Sequence, residues 1–419
     1  MNIVFEWIKS LKIYFDRRMM VMLFLGFVSG LPFLLVSSTL SLWLKDAGIS
    51  LAAIGMFALV KSPYSFKWLF SPLIDQLNLP IFSRLGRRRG WAVFIQLLLM
   101  GSLLAMSFTN PANSTSLFVF LVFLAALFSA SQDIVLDAYR IERFDVNEQA
   151  AGVAVFVFGY RIGVLFAGAG ALIMADYWNW SVVYQVMAAS VLLGMITILL
   201  SAEPVTVKTS QSHDWHTIIV NAIINPFTDF MKRDRWIWIL LFIFFYRMSD
   251  AYIAPMAYPF FDDIGFTKIQ IAYIIKIYGV LATILGSFIG GLVVSRLGLA
   301  KSLLFCGLLH GASNLLYLWQ VSAGNDTSVL TLTIFVENIS GGMGTSAFVA
   351  YLSSLCNRQY TATQYALLSS FMGMARDIFA ASSGIVAKAV SWYGFFSITA
   401  AMSLPGIFIL LYLMKKKAI

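Results

Sequence analysis

The chain has 419 residues, of which 60% are hydrophobic and only 12% charged. A soluble globular domain carries about 25% charged residues, so roughly half the supply needed to cover a water-facing surface is present. That excludes a soluble enzyme, a disordered chain and a disulfide scaffold; apolar runs such as 19–43 reach the ~20 residues needed to cross a bilayer.

The formal charge of +9 comes from 29 Lys and Arg against 20 Asp and Glu. The excess falls in loops and tails, which fits positive-inside anchoring in a membrane better than nucleic-acid binding. Cys306 and Cys356 lie in separate apolar segments and read as packing residues, with neither disulfide nor metal spacing.

Residues 1–18 mix Trp7, Ile8, Leu11 and Phe15 with Lys9, Lys12, Arg17 and Arg18, the pattern of an amphipathic helix on the cytoplasmic membrane surface. No small-residue cleavage site follows, so a removed signal peptide is not expected. Spans are predicted at 19–43, 50–72, 91–109, 117–138, 150–175 and 180–200, forming a first half over 19–200. A polar linker over 201–235 carries Trp215, Ile218, Ile219 and Phe227 and reads as an interfacial helix. The second half, 236–414, holds spans at 236–261, 268–295, 300–320, 329–356, 362–387 and 392–414, before a basic tail over 415–419. The prediction is therefore an all-α integral membrane protein with twelve transmembrane helices. The N-terminus, the even-numbered loops and the C-terminus hold 20 Lys and Arg, whereas the odd-numbered loops hold three, so both ends are expected in the cytoplasm.

The halves repeat each other. Asp46-Ala47-Gly48 follows the first span and Asp263-Ile264-Gly265 the seventh, an offset of 217. Arg84-Leu85-Gly86 follows the second and Arg296-Leu297-Gly298 the eighth, an offset of 212. Two parallel six-helix halves describe the major facilitator architecture.

Charge within a span is costly and asks for a reason. Asp133 and Asp137 share one face of the fourth helix, with Gln132 beside them. Arg161 lies at mid-span in the fifth, at a depth of ~16 Å against ~10 Å for Asp133, a gap a long side chain can bridge. The pair is read either as a structural lock or as a contact for substrate or proton. Lys276 and Glu337, each ~12 Å from the outer surface on neighbouring helices, form a second candidate pair. Arg247 and Asp250 share a face of the seventh helix. Arg376 and Asp377 are adjacent and expected to find different partners. Lys61 has no acid on its own helix and is assigned to Asp133, substrate carboxylate or water, whereas Lys67 is expected to snorkel. Tyr160, Tyr246, Trp68 and Tyr351 either stack on sugar faces or pack. The run Gly341-Gly342-Met343-Gly344 either unwinds or admits a neighbouring helix. Of the carboxylates, Glu337 is the first candidate to take a coupling proton and Asp133 the second. No Walker loop, His-Glu-x-x-His or Gly-x-Ser-x-Gly motif occurs, so neither an enzyme nor an ATP-driven pump is expected, and no cofactor or metal.

Five stretches carry a more specific resemblance. Ser71-Pro72-Leu73-Ile74-Asp75 with Arg84-Leu85-Gly86-Arg87-Arg88-Arg89-Gly90-Trp91 resembles the acidic-then-basic loop of major facilitators, with an insertion of about eight residues. It reads as a cytoplasmic gate in which Asp75 meets Arg84, Arg87 and Arg88. Phe128-Ser129-Ala130-Ser131-Gln132-Asp133-Ile134, Gly159-Tyr160-Arg161-Ile162-Gly163 and the run from Glu337-Asn338 to Phe348 resemble the muropeptide permease (AmpG) family, as does Ala362-Thr363-Gln364-Tyr365-Ala366-Leu367. Some members of that family continue with hydrophobic sequence beyond the point matching Ile419. The resemblance implies proton-driven import of anhydro-muropeptides, N-acetylglucosamine joined to anhydro-N-acetylmuramyl peptide, across the bacterial inner membrane by a monomer. The substrate and proton pathway then includes Lys61, Gln132, Asp133, Asp137, Tyr160, Arg161, Arg247, Asp250, Lys276, Glu337, Asn338 and Arg376. The alternative is a facilitator for another large anion, such as a siderophore or acyl-coenzyme A.

Overall fold

The computed structural model describes residues 12–49, 60, 62–77, 79–204 and 224–416. The first half contains α1 (Arg17–Leu35), α2 (Ser38–Asp46), α3 (Lys67–Gln76), α4 (Arg87–Ser107), α5 (Thr115–Arg143), α6 (Val146–Leu165), α7 (Ala171–Tyr177) and α8 (Trp180–Leu200). After α9 (Asn225–Met231) come α10 (Trp236–Phe245), α11 (Met248–Asp263), α12 (Gly279–Leu297), α13 (Leu299–Ser313), α14 (Leu315–Ala323), α15 (Thr327–Ser354), α16 (Thr361–Ala389), α17 (Trp392–Ala401) and α18 (Leu404–Lys415). No strand occurs among the described residues.

Nine helical segments among the described residues are long and apolar enough to cross a bilayer, several of them built from two consecutive helices. Two more, α15 and α16, have the length, at 28 and 29 residues, but not the hydropathy. Ser340, Gly342, Ser346, Thr363 and Ser383 of these helices are buried within the protein. The twelfth predicted span, 50–72, has residues 50–59 and Lys61 outside the described set. The same holds for residues 1–11 and most of the expected linker helix. Residues Lys12–Phe15 form a single 3₁₀ turn, and Arg17 and Arg18 already belong to α1.

Several spans are broken rather than continuous. Pro32 lies inside α1, which ends at Leu35 before a short turn leads into α2. Arg247 separates α10 from α11 in a non-helical conformation, and buried Asn314 separates α13 from α14. Phe166–Gly170 and Ala272–Tyr278 adopt π-helical turns.

The repeat seen in sequence has a structural counterpart. Gly48 and Gly265 take positive φ of 78° and 92°, as Gly86 and Gly298 do at 101° and 75°, a conformation that favours glycine. Trp180 Nε1–H donates to Asp46 at 2.8 Å, and Trp392 Nε1–H donates to Asp263 at 3.0 Å. The same indole–carboxylate clasp thus closes the same end of each half.

Close packing holds each half together. α1 packs on α6, and α12 packs on α15. The glycine run resolves in favour of close approach: α15 is unbroken, and a Cβ on Gly342 would overlap the Thr283 carbonyl oxygen. The halves meet through α12 against α6, and through α16 against α3 and α5. Hydrogen bonds between them cluster at one end of the bundle, the end that holds Asp75, Arg88 and Arg140 and that charge predicts to be cytoplasmic.

Candidate functional site

At that end, Asp75 closes α3 with no exposure to solvent. Its carboxylate accepts from Arg88 at 2.7 Å, from the Thr363 hydroxyl at 2.8 Å, and from the backbone N–H of Thr363 and Ala362 at 2.7 and 3.3 Å. The last two are free amides in the first turn of α16, where the helix dipole favours an anion. An acid of the first half therefore caps a helix of the second. Arg88 is held in turn by Glu142 of α5, at 2.6 Å. A buried charge needs such partners, and this one has two carboxylates. Arg87 donates to the Asp75 carbonyl at 3.0 Å, whereas Arg84 is exposed and forms no ion pair among the described residues. Of the expected gate residues, the structure brings Asp75, Arg87 and Arg88 together with Glu142 and Thr363 and leaves Arg84 outside the cluster. Arg140 adds a second tie, donating to Asp137 at 3.2 Å in its own half and to Ser353 at 3.2 Å in the other.

Deeper in the first half, Asp133 accepts from the Ser29 hydroxyl at 2.6 Å. Gln132 donates to the Val28 carbonyl at 3.0 Å, which ties α5 to α1. The expected Asp133–Arg161 ion pair is not formed. Arg161 is exposed on α6 with Tyr160 half-buried beside it, and among the described residues Lys67 is the cation whose charge acts on Asp133. Equal depth on consecutive helices does not fix rotation about their axes, so it does not by itself bring two side chains into contact. Lys61 lies outside the described residues.

The second half holds the denser constellation. Arg247, at the break between α10 and α11, pairs with Asp250 at 2.5 Å and donates to the Thr345 hydroxyl at 2.6 Å. Asp250 also meets His310 Nε2, and His310 Nδ1 lies 3.0 Å from Ser340 Oγ on α15. One turn away, Glu337 accepts from Asn338 at 2.8 Å, and Asn338 accepts from Thr283 at 2.8 Å. The side chain of Lys276, the expected partner of Glu337, lies outside the described residues. A cavity of about 620 Å³ opens against this cluster, lined by Phe244, Arg247, Asp250, Thr345, Arg376 and Phe379 among others. Arg376 and Asp377, expected to find different partners, pair with each other at 3.1 Å, both about 70% exposed. In an open cavity a long guanidinium can fold back onto its neighbour. Tyr246 donates to the Leu303 carbonyl at 2.9 Å and stacks on Phe348, and Tyr351 is buried, so both pack.

Of the expected pathway residues, the structure brings Arg247, Asp250 and Arg376 to one cavity, and it adds His310, Ser340 and Ser29, which sequence reasoning missed. An imidazole inside an otherwise apolar span was the available signal.

The sequence profile of the Major Facilitator Superfamily matches residues 22–249 and 239–418. The chain is 38% identical over 407 residues to the Rickettsia conorii transporter AmpG 4, covering 97% of this chain and 98% of that protein. It is 39% identical over 406 residues to the anhydromuropeptide permease of Escherichia coli strain K12, covering 96% of this chain and 80% of that protein. Among solved structures, the proton:xylose symporter XylE superposes with a TM-score of 0.65 at 14% identity, over 95% of this chain and 94% of that one. Similarity of this extent, on an all-helical scaffold with a charged cavity and an inter-half latch, settles the affiliation: the chain belongs to the AmpG, or anhydromuropeptide permease, family of the Major Facilitator Superfamily and is a multi-pass membrane transporter, not an enzyme.

Proposed function

We propose that the protein imports anhydro-muropeptides from periplasm to cytoplasm across the bacterial inner membrane, coupled to proton symport, in the service of cell-wall recycling. The observation that carries the substrate is the 39% identity to an anhydromuropeptide permease over 96% of the chain. The cavity supports it in chemical terms: Arg247 and Arg376 offer two guanidinium groups to carboxylates of a peptide stem, while Phe244 and Phe379 offer faces to its apolar parts. Both termini face the cytoplasm in this reading, and the chain divides into residues 19–200 and 236–414 around the 201–235 linker. The latch at Asp75 then closes the cytoplasmic side, leaving the substrate path open to the periplasm. Energy comes from the proton gradient, with Glu337 as the group that takes the proton and Asp133 as the second candidate.

The test is uptake by membrane vesicles containing the protein. Labelled anhydro-muropeptide is expected to accumulate and to be displaced by unlabelled muropeptide but not by a siderophore or an acyl-coenzyme A. Uptake of labelled siderophore or acyl-coenzyme A instead, with no muropeptide uptake, overturns the assignment.

A further inference from the structure

The charged cluster behind the cavity holds a group with no role so far. His310 lies near the end of α13, its side chain only 12% exposed, while Asp250 in front of it is 20% exposed and lines the cavity wall. The groups that face the imidazole are Asp250 and Arg247 from the α10–α11 break and Glu337 from α15, with Cys306 one turn back on its own helix and Tyr246 alongside.

Counting protons around the ring shows two satisfied states. Ser340 has a single hydroxyl proton and three neighbours: His310 Nδ1 at 3.0 Å, the Glu337 carbonyl at 2.9 Å and Ser313 Oγ at 3.2 Å. In one state Ser340 donates to Nδ1, and Nε2–H donates to ionised Asp250. In the other, Nδ1–H donates to Ser340, whose own proton turns to the Glu337 carbonyl or to Ser313, and one proton lies between Nε2 and Asp250. The second state holds one proton more than the first, and neither leaves a buried polar group unpaired. A buried imidazole that merely filled space would not need two acceptors and a rotatable hydroxyl arranged around it.

We infer that the His310–Asp250 couple is a proton-holding site of the transporter, placed between the substrate cavity and the helix that carries Glu337. This rests on the proton-symport reading and adds a second site to it. Loading forms one N–H bond at the ring and breaks one O–H bond of a hydronium ion reaching Asp250 from the cavity; release reverses both. Loading also reduces Asp250 as a counter-charge to Arg247, 2.5 Å away. The guanidinium then turns to an anion in the cavity, so proton and anionic substrate favour each other's binding.

The test uses the full-length protein in liposomes under an imposed one-unit pH gradient, which supports about tenfold accumulation for one proton per substrate. Wild type is expected to approach that ratio. His310→Gln keeps a side chain that can bond Ser340 and Asp250 but cannot hold the extra proton. Its accumulation ratio is expected to fall to about one while substrate counterflow persists, and its substrate affinity is expected not to change with pH, whereas that of wild type is expected to tighten at acid pH. Proton-driven accumulation by His310→Gln equal to wild type removes His310 from the pathway while leaving proton symport standing. Absence of proton-driven accumulation in wild type itself overturns the underlying reading and this one together. Should the variant fold poorly, ¹⁵N-histidine NMR of a form carrying His213→Gln and His216→Gln reports the remaining imidazole directly. Conversion from neutral ring to imidazolium between about pH 9 and about pH 5, displaced on adding substrate, is expected. A single protonation state throughout that range overturns the proposal.

Discussion

Replacing Asp75 by Asn keeps the shape of the side chain and removes its charge, which makes it a direct probe of the latch. Two sets of bonds are affected. The contact with Arg88 lies within one half and is lost in every conformation, so it lowers overall stability without favouring one state. The bonds to Thr363 and Ala362 exist only while the halves are closed at this end. Hydrogen bonds to a charged group contribute about 1.5–3 kcal/mol each, and Asn retains part of them as a neutral acceptor, so the closed state loses about 3 kcal/mol. That is roughly a 100-fold shift in the equilibrium. From an open population of about 1%, close to half the molecules become open at this end. Spin labels on cysteines replacing the exposed Arg84 and Arg358, one in each half, report the distance across the gap once Cys306 and Cys356 are removed. Asp75→Asn is expected to add a population at longer distance. Glu203→Gln is the control, because Glu203 caps the Arg88 and Arg89 amides within one half and crosses no gap. An unchanged distance distribution in Asp75→Asn, with the protein folded, would refute the latch argument.

Three further outcomes are expected. For topology, a cysteine at Asn113 should react with an impermeant reagent in intact spheroplasts and one at Ser210 should not; the reverse labelling sinks the orientation. For the first-half site, Ser29→Ala and Asp133→Ala should be non-additive in folded yield by about 1 kcal/mol or more, whereas Arg161→Ala and Asp133→Ala should add; the opposite pattern restores the Asp133–Arg161 pair. For coupling, Glu337→Gln should lose uphill accumulation while substrate exchange continues down its own gradient, and full proton-dependent accumulation moves the primary site, first of all to Asp133.

Much of the architecture is legible in the sequence because bilayer physics constrains it. Apolar runs of span length and the twice-repeated Asp-x-Gly and Arg-Leu-Gly persist in the structure, the repeats as paired positive-φ glycines and paired indole–carboxylate clasps. The span interruption at Arg247 is not legible, since no Gly or Pro marks it. Within the sites, pairs on one helix such as Arg247–Asp250 follow from helical periodicity alone. Pairs between helices do not. Depth alone matches Asp133 to Arg161, but which faces meet depends on rotation, and Ser29, 104 residues away, holds the carboxylate instead. The same limit hid Glu142 and Thr363, which contact Arg88 and Asp75 from other helices. His310 was overlooked because its partners, Asp250 and Ser340, come from two other helices and leave no spacing to read.

The central claim is that one protein molecule couples proton entry to muropeptide entry. The most direct measurement follows both at once in liposomes containing the purified protein and an internal pH dye. Adding anhydro-muropeptide outside, with no gradient imposed, is predicted to acidify the interior in step with substrate uptake, and the acidification should vanish without substrate. Muropeptide uptake with no acidification, or acidification that ignores the substrate, would contradict the account.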